Sequence, residues 1–388
     1  MKGAASRINT LIEMNMEGVC TMRVKVEGVI PFIESAEAEL SDITVFVGPQ
    51  ASGKTIFLEC AKLEIDREHI VRRIKSSPFK MNFYKQYFGS DVVLKGEPEI
   101  EIHPPVEASE GEVVFYIPSH RAFLFKDEFF KPFTDMPPFY PYVARVFSHH
   151  LFNMMMRFEE GENIFKQSRF TEKFPYEAFV DLIKEIFSTG RFRYFPKVGV
   201  LNGGTLGFYM QTQHESEKIR IPAWSTGQRE SLPLILGLMH SIEDENTKWV
   251  FIEEPEMGLH PRGIIAVLRL ILIVAALYNR KVIISTHSPT ILEVLWGIRY
   301  LKDNQGMLSK FVEEIMEFGN ENVANDIVKF LQTHEVKIHY FDGGTVKDIS
   351  ALDLYADEPT ASWGGILHKS SKIEDLVAEY TLRQKMED

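Results

Sequence analysis

The segment Gly48-Pro-Gln-Ala-Ser-Gly53-Lys54-Thr55 decides the fold of this chain. It fits the pattern G-x-x-x-x-G-K-[ST] at every fixed position. The apolar, β-branched run ITVFV at residues 43–47 comes directly before it and predicts a buried strand, and residues 55–63 have helical character. A strand, a glycine-containing loop and a helix, in this order, are the context in which such a loop binds phosphate.

Each fixed residue of this loop has a physical role. The glycines let the backbone turn so that successive N–H groups point toward phosphate oxygens, and the start of the following helix adds a favourable dipole. Lys54 is expected to reach the β- and γ-phosphates, and the Thr55 hydroxyl is expected to bind Mg²⁺. An ordinary Gly-rich turn is the alternative, which the complete motif disfavours. The expected nucleotide-binding residues of the loop are Gly48, Pro49, Gln50, Ala51, Ser52, Gly53, Lys54 and Thr55.

A second motif, WVFIEEP at residues 249–255, is an apolar strand that ends in two acids. A carboxylate at a strand end can hold Mg²⁺ or its water shell, a role that we assign to Glu253. Its neighbour Glu254 can then polarise the attacking water as a general base. Two adjacent acids would by themselves more often form a solvated turn, and the phosphate loop elsewhere in the chain favours the catalytic interpretation.

Two further segments carry polar residues at the ends of predicted elements. His287, in STHSP at residues 285–289, follows the predicted strand KVIIS and could orient a γ-phosphate. A lone His is more often structural, but this one ends the predicted strand that follows Glu253. Ser225 begins an apolar helix in STGQRE at residues 225–230 and is first of all an N-cap. The same helix start, with Gly227 and Gln228, can also bind phosphate.

Four segments, taken in order, resemble the motifs of ABC-type ATPases: GPQASGKT, STGQRE, FIEEPEMGLHP and STHSP. Within these ATPases the chain is most similar to the soluble group near RecF, SMC and the OLD-family nucleases. This group includes the AAA-type ATP-binding proteins of phage-defence and repair systems. The resemblance covers residues 22–64 and 205–300. It implies that these segments are Walker A, the signature, Walker B with the D-loop, and the H-loop. It further implies that Ser225 and Gly227 contact the γ-phosphate of ATP on a second subunit, and that residues 256–261 line the dimer seam.

The chain departs from the family pattern at several points. Walker B ends Glu-Glu instead of Asp-Glu, and the signature lacks the leading Leu and double Gly of transporters. The Q-loop is unplaced: Gln86 is one candidate, and the segment PSHR at residues 118–121 is another. Arg121 could reach nucleotide or a neighbouring subunit, with a surface salt bridge as an equal alternative. The sequence shows no long heptad arm and no CxxC hook, which disfavours SMC proteins proper and zinc-hook ATPases. It also shows no evident Toprim module, which disfavours a complete OLD-type nuclease.

Alternating strands and helices predict an α/β fold. We expect an ABC-ATPase head, with a P-loop parallel sheet, flanking helices and an antiparallel N-terminal β-layer, that carries an inserted, mainly helical, Phe-rich subdomain. The insert holds 20 of the 29 phenylalanines, for which core packing is a commoner explanation than a ligand platform. The expected division is a leader (1–21), an N-terminal lobe (22–76), the insert (77–200), a C-terminal lobe (201–300) and an acidic region with a terminal hairpin (301–388).

Composition limits the function classes. The net charge of −12 argues against a surface that clamps nucleic acid throughout, and residues 118–200 are near neutral, with 12 basic and 10 acidic residues, so charge gives no support for DNA binding. Two cysteines, Cys20 and Cys60, exclude a disulfide scaffold and a Cys-based zinc site. The longest apolar stretch, residues 264–278, contains Arg269 and is too short to span a bilayer. We expect a cytoplasmic protein.

Two functions from different classes follow. The first is a Mg²⁺-dependent ATPase that dimerises, or forms a higher homo-oligomer, through ATP held between one subunit's Walker A and its partner's signature. It would couple nucleotide state to DNA or to a separately encoded effector in repair or phage defence. The second is a slow, ATP-gated scaffold that holds and releases a protein partner without DNA. A transporter's nucleotide-binding subunit, which would need a membrane partner, is disfavoured by the atypical signature and the large insert.

Overall fold

A computed structural model describes the chain from Thr21 to Ala351 with gaps. The predicted leader, apart from Thr21, and the C-terminal region beyond Ala351 lie outside the described residues. The described ranges are 21–29, 32–76, 82–89, 99–103, 109–125, 129–160, 162–165, 176–187, 197–201, 207–211 and 218–351.

A six-stranded sheet forms the centre of the fold. In spatial order its strands are β12 (Thr345–Asp348), β11 (Val336–Asp342), β3 (Ile43–Val47), β10 (Lys281–Thr286), β9 (Trp249–Glu253) and β5 (Val114–Ile117). Neighbouring strands are parallel except β11 and β12, which form the predicted terminal hairpin. The inner strands are continuous apolar runs because both faces of the sheet are covered. Alternate side chains therefore enter different cores: Val45 packs in one cluster and Phe46 in the other.

Two smaller antiparallel sheets flank the centre. The first has the order β2 (Ile33–Leu40), β1 (Met22–Val29), β4 (Glu99–His103) and is the predicted antiparallel N-terminal layer. The second has the order β6 (Lys197–Leu201), β7 (Gly207–Gln211), β8 (Lys218–Arg220). The last strand of this sheet ends at Arg220, where residues 221–223 form a 3-10 turn that contains Pro222, a residue without a backbone donor.

Helices cover both faces of the central sheet. In chain order they are α1 (Lys54–Ile65), α2 (Arg67–Lys75), α3 (Phe83–Phe88), α4 (Tyr142–Met155), α5 (Tyr176–Phe187), α6 (Thr226–Glu243), α7 (Pro261–Tyr278), α8 (Pro289–Leu301), α9 (Gln305–Phe311) and α10 (Glu321–Thr333). Helix α7 is long and apolar enough to cross a membrane by length and composition, but 67% of it is buried inside the fold, as in the core helix of a globular protein.

Strand pairing ties part of the predicted insert to the head. Strands β4 and β5 fall within residues 77–200, yet they pair with β1 and β9, and β6 pairs with β7 across the expected boundary at residue 200. Strand β4 therefore shares a sheet with β1, β5 with β9, and β6 with β7, while the domain division itself stays a prediction. Most described aromatic rings of this region are buried, such as Phe147 and Phe165, which is the core packing that the composition favours.

Candidate functional site

Three of the predicted motifs meet at one edge of the central sheet. The phosphate loop follows β3, His287 follows β10, and the two acids end β9, and these strands are adjacent and parallel. In register, Val47 lies beside Thr286, and Ser285 lies beside Glu253. Since neighbouring strands are about 4.8 Å apart, the loops that follow them lie side by side. Ligands of open α/β sheets bind at this edge.

The glycines of the loop are required by its path. Gly48 has φ 148°, and a Cβ there would lie 2.2 Å from the carbonyl oxygen of Phe341 at the end of β11. Gly53 has φ 105° and provides the left-handed residue before α1. A side chain at either position would force the loop away from β11 or strain its backbone. The loop conformation thus depends on the two glycines that the motif fixes.

Lys54 spans the loop from the first turn of α1. Its Nζ donates to the carbonyls of Gly48 (2.8 Å) and Pro49 (2.7 Å) and to Ser52 Oγ (3.1 Å). Burial lowers the pKa of Lys54 to about 8, against the opposing effect of two nearby acids, Glu254 and Glu256. Within the described ranges, no side chain caps the start of α1. The curled loop, the lysine and the uncapped helix start together fit a nucleotide phosphate group.

Glu253 is held in one orientation. Its Oε1 accepts a hydrogen bond from the Tyr116 phenol, and its Oε2 accepts one from the backbone N–H of Ser119 (3.0 Å). Thr55, at the start of α1, is exposed. Among the described residues no group of three His, Cys, Asp or Glu side chains could hold a metal by itself.

Glu254 and His287 form the polar pair of the site. His287 Nε2 lies 3.4 Å from Glu254 Oε1, and the side chains are 27% and 32% exposed. The hydrogen bond with His287 lowers the pKa of Glu254, against an opposing effect of burial. Glu254 has φ 42°, and its N–H donates to the carbonyl of Ser285 (2.8 Å). The result is an ionised, accessible carboxylate in a fixed position, which suits a general base.

The signature segment begins α6 with a complete capping box. Ser225 Oγ accepts from the Gln228 N–H (3.2 Å), and Gln228 Oε1 accepts from the Ser225 N–H (3.0 Å). Ser225 is exposed, and Gly227 is buried against the 254–258 loop, where a Cβ would lie 2.5 Å from the Gly258 carbonyl oxygen. The N-cap expected from the residues is present. A role of Ser225, Gly227 and Gln228 toward nucleotide stays a prediction.

Glu256 links the predicted D-loop to the H-loop. Its Oε1 accepts from Thr286 Oγ1 (2.7 Å) and from the His287 N–H (2.8 Å). Burial raises the pKa of Glu256, and these hydrogen bonds act in the opposite direction. Sequence reasoning placed this residue at a dimer seam and did not find its contact with the loop that carries His287.

Arg121 is a correction to the sequence interpretation. Its side chain is 0% exposed. The predicted surface salt bridge is therefore wrong, and so is the predicted direct contact with nucleotide or with a neighbouring subunit. Its guanidinium donates to the carbonyls of Pro118 (2.9 Å), Glu253 (2.7 Å), Glu254 (3.0 Å) and Glu230 (3.1 Å). Every residue has a backbone carbonyl, so hydrogen bonds to carbonyls produce no pattern of residue types in the sequence. The sequence therefore could not reveal these contacts.

The segment 118–121 lies beside the predicted Walker B acid, through the hydrogen bond from Ser119 to Glu253. The other Q-loop candidate, Gln86, is buried, and its backbone carbonyl accepts a hydrogen bond from Arg145 on α4. Of the two candidates, the 118–121 segment therefore has a described contact with a residue of the site.

Comparisons with known proteins bear on the family. A family model described as "AAA domain, putative AbiEii toxin, Type IV TA system" matches residues 82–293. No curated protein matches the chain in sequence.

Several solved structures are similar to the chain. One, "Crystal structure of the SmcHead bound to the C-winged helix domain of ScpA", has 10% identity and TM-score 0.42, over 84% of this chain and 96% of that one. Another, "SMC head domain from Thermotoga maritima", has 13% identity and TM-score 0.34, over 70% and 90%. A third, "Dimeric Structure of MJ0796, a Bacterial ABC Transporter Cassette", has 10% identity and TM-score 0.34, over 84% and 96%.

The family model spans more than half of the 388 residues and includes the segments that begin α6, end β9 and follow β10. The chain therefore belongs to this AAA-domain family.

Proposed function

We propose that this chain is a Mg²⁺-dependent ATPase that dimerises through ATP and opens after hydrolysis. The observation that carries the proposal is the pair Glu254–His287, 3.4 Å apart, at the strand ends next to the phosphate loop. If the loop were an ordinary Gly-rich turn, no function would require a carboxylate and a histidine beside it. The proposal rests on the family membership and on this geometry together.

The proposed roles follow from the contacts. Lys54 and the N–H groups of the loop bind the β- and γ-phosphates, and Thr55 and Glu253 hold Mg²⁺, which supplies neutralising charge to the transferred phosphoryl group. Glu254 accepts a proton from the attacking water, and its lowered pKa keeps it ionised near neutral pH. His287 orients Glu254 through their hydrogen bond.

Dimerisation is proposed from the position of the signature. Ser225 is exposed at the start of α6, and its described hydrogen bonds are made with Gln228 of its own cap. An exposed helix start with a favourable dipole can accept an anion from another molecule. We infer that the γ-phosphate of ATP bound to a second subunit is that anion, as the family resemblance implies.

We propose that the change between the ATP-bound dimer and the open state acts on DNA or on a separately encoded effector, in the cytoplasm. The scaffold alternative draws on exposed apolar surface in residues 77–200, where Phe123 and Phe139 are 54% and 62% exposed. Most described apolar side chains of that range are buried, however, which favours a closed core. The ATPase that signals by its nucleotide state is therefore the first choice.

Steady-state ATP hydrolysis tests the proposal, with and without linear duplex DNA. Glu254→Gln serves as the blank, and Glu293→Gln, the same change on the exposed face of α8, serves as the matched control. We expect Mg²⁺-dependent hydrolysis that Glu254→Gln lowers by at least a hundredfold and Glu293→Gln leaves within twofold. Stimulation by DNA that declines with salt would favour DNA as the output. Equal rates in wild type and Glu254→Gln would refute the proposed base.

A further inference from the structure

Arg121 is a buried charge that the proposed hydrolysis does not itself use. Its side chain is 0% exposed, at the start of a short 3-10 helix (Arg121–Phe125) that packs on α6. Burying a guanidinium is unfavourable unless its donors are satisfied and its charge is balanced. Here its Nε lies 3.8 Å from Glu230 Oε2, and the remaining contacts are to backbone carbonyls. Its contacts are therefore the best guide to what it does.

Those contacts join two parts of the proposed site. One Nη atom donates to the carbonyl of Glu253 and the other to the carbonyl of Glu254. The Nε atom donates to the carbonyl of Glu230, on the helix that begins with the signature. The carboxylate of Glu230 also accepts from the Ala122 N–H at 3.1 Å. One planar group thus fixes the backbone of both acids against the helix α6.

The backbone at Glu254 is one that needs such support. Its φ of 42° is in the left-handed region, which a residue with a side chain adopts only when its surroundings enforce it. The Glu254 carbonyl is held by Arg121 and its N–H by Ser285. Loss of one of the two would let the peptide relax, and the carboxylate would then leave its position beside His287.

We propose that Arg121 is a positioning residue that holds the proposed base Glu254 in place and couples its position to the signature helix through Glu230. This inference rests on the proposed function. When the start of α6 engages a second subunit, a shift of that helix is transmitted to the two acids through the guanidinium. Arg121 meets four backbone carbonyls with donors spread over its three nitrogens, and a lysine ammonium, whose three donors share one nitrogen, cannot reproduce that set.

The test compares Arg121→Lys with a matched control, Arg145→Lys. Arg145 is also buried (1% exposed), and its guanidinium also donates to a carbonyl, that of Gln86, away from the strand ends. We expect Arg121→Lys to lower kcat about ten- to a hundredfold with KM for ATP within threefold, as a displaced catalytic group does. Arg145→Lys should keep kcat within twofold. In the Glu254→Gln background, Arg121→Lys should cause a much smaller further loss than in the wild type, because most of its effect acts through Glu254.

Hydrogen exchange of the nucleotide-free proteins gives a second readout that needs no turnover. Arg121→Lys should speed exchange in two segments, residues 225–231 and 249–258, and Arg145→Lys should leave both unchanged. Wild-type kcat in Arg121→Lys, a raised KM with unchanged kcat, or a further tenfold loss in the Glu254→Gln background would overturn the inference. Unchanged exchange in either segment would also overturn it. Failure of the proposed function is distinct, since it would appear as equal rates in wild type and Glu254→Gln.

Discussion

Substitution of Gly227 by Ala tests the contact between the signature helix and the loop that follows β9. The new Cβ would lie 2.5 Å from the Gly258 carbonyl oxygen, whereas real Cβ atoms stay at least 3.0 Å from such atoms. The two backbones must therefore separate by at least 0.5 Å. A misplacement of about 1 Å can lower a catalysed rate about a hundredfold, so we expect a loss of roughly tenfold in kcat. Overpacking should lower the free energy of unfolding by about 1–3 kcal/mol, and the higher helix preference of Ala should raise it by about 1 kcal/mol. The expected net destabilisation is therefore about 0–2 kcal/mol.

The assay pairs ATP turnover with thermal unfolding, and Gly263→Ala is the matched control. Gly263 is in α7, where a Cβ would meet Leu259 at an ordinary 3.4 Å. The control should keep kcat within twofold and gain about 0.5–1 kcal/mol of stability from the better helix former. If Gly227→Ala turns over ATP like wild type, or if the control loses as much activity, the close approach of the two backbones is not what sets the rate.

Three further results are expected. Lys54→Ala should abolish binding of a fluorescent ATP analogue, because the loop loses the cation that faces the phosphates. His287→Ala should move the acid limb of the kcat–pH profile to higher pH: the hydrogen bond with His287 lowers the pKa of Glu254, so the ionised base persists to lower pH in the wild type, and the variant loses that margin. Lys62→Met should destabilise the fold by about 3–5 kcal/mol in a denaturant melt, because the carboxylates of buried Asp66 and largely buried Glu112, which each accept from Lys62 Nζ at 2.8 Å, lose this ammonium. Since the pKa of Glu112 is lowered to about 2, the contribution of its carboxylate is present above its usual pKa and declines as pH falls toward 2.

Local patterns in the sequence were sufficient for the inner strands β3, β9 and β10 of the central sheet and for the motifs that follow them. The runs ITVFV, WVFIE and KVIIST are mostly apolar because both sheet faces are covered, and a strand of that kind can be recognised without its neighbours. Glycines and acids that follow such strands then meet at one edge, since parallel strands bring their carboxyl ends together.

The remaining features depend on partners that are distant in the chain. Strand β5, VFYI, lies in a Phe-rich region where it has no distinctive pattern, and only its pairing with β9 places it in the head. Arg121 bonds to carbonyls, which every residue carries. Tyr116 orients Glu253 across 137 residues of sequence. Contacts of these kinds are set by the fold, and residue spacing does not encode them.

The ATP-dependent mass of Glu254→Gln tests the central claim most directly. Light scattering of this variant with Mg²⁺ and ATP should show the 44.6 kDa chain converting to a species of twice that mass, or a higher multiple, and ADP should not produce it. The same variant carrying Ser225→Arg, which places a bulky side chain at the exposed start of α6, should stay monomeric while still binding ATP. A Glu254→Gln protein that binds ATP and remains at 44.6 kDa would contradict the account.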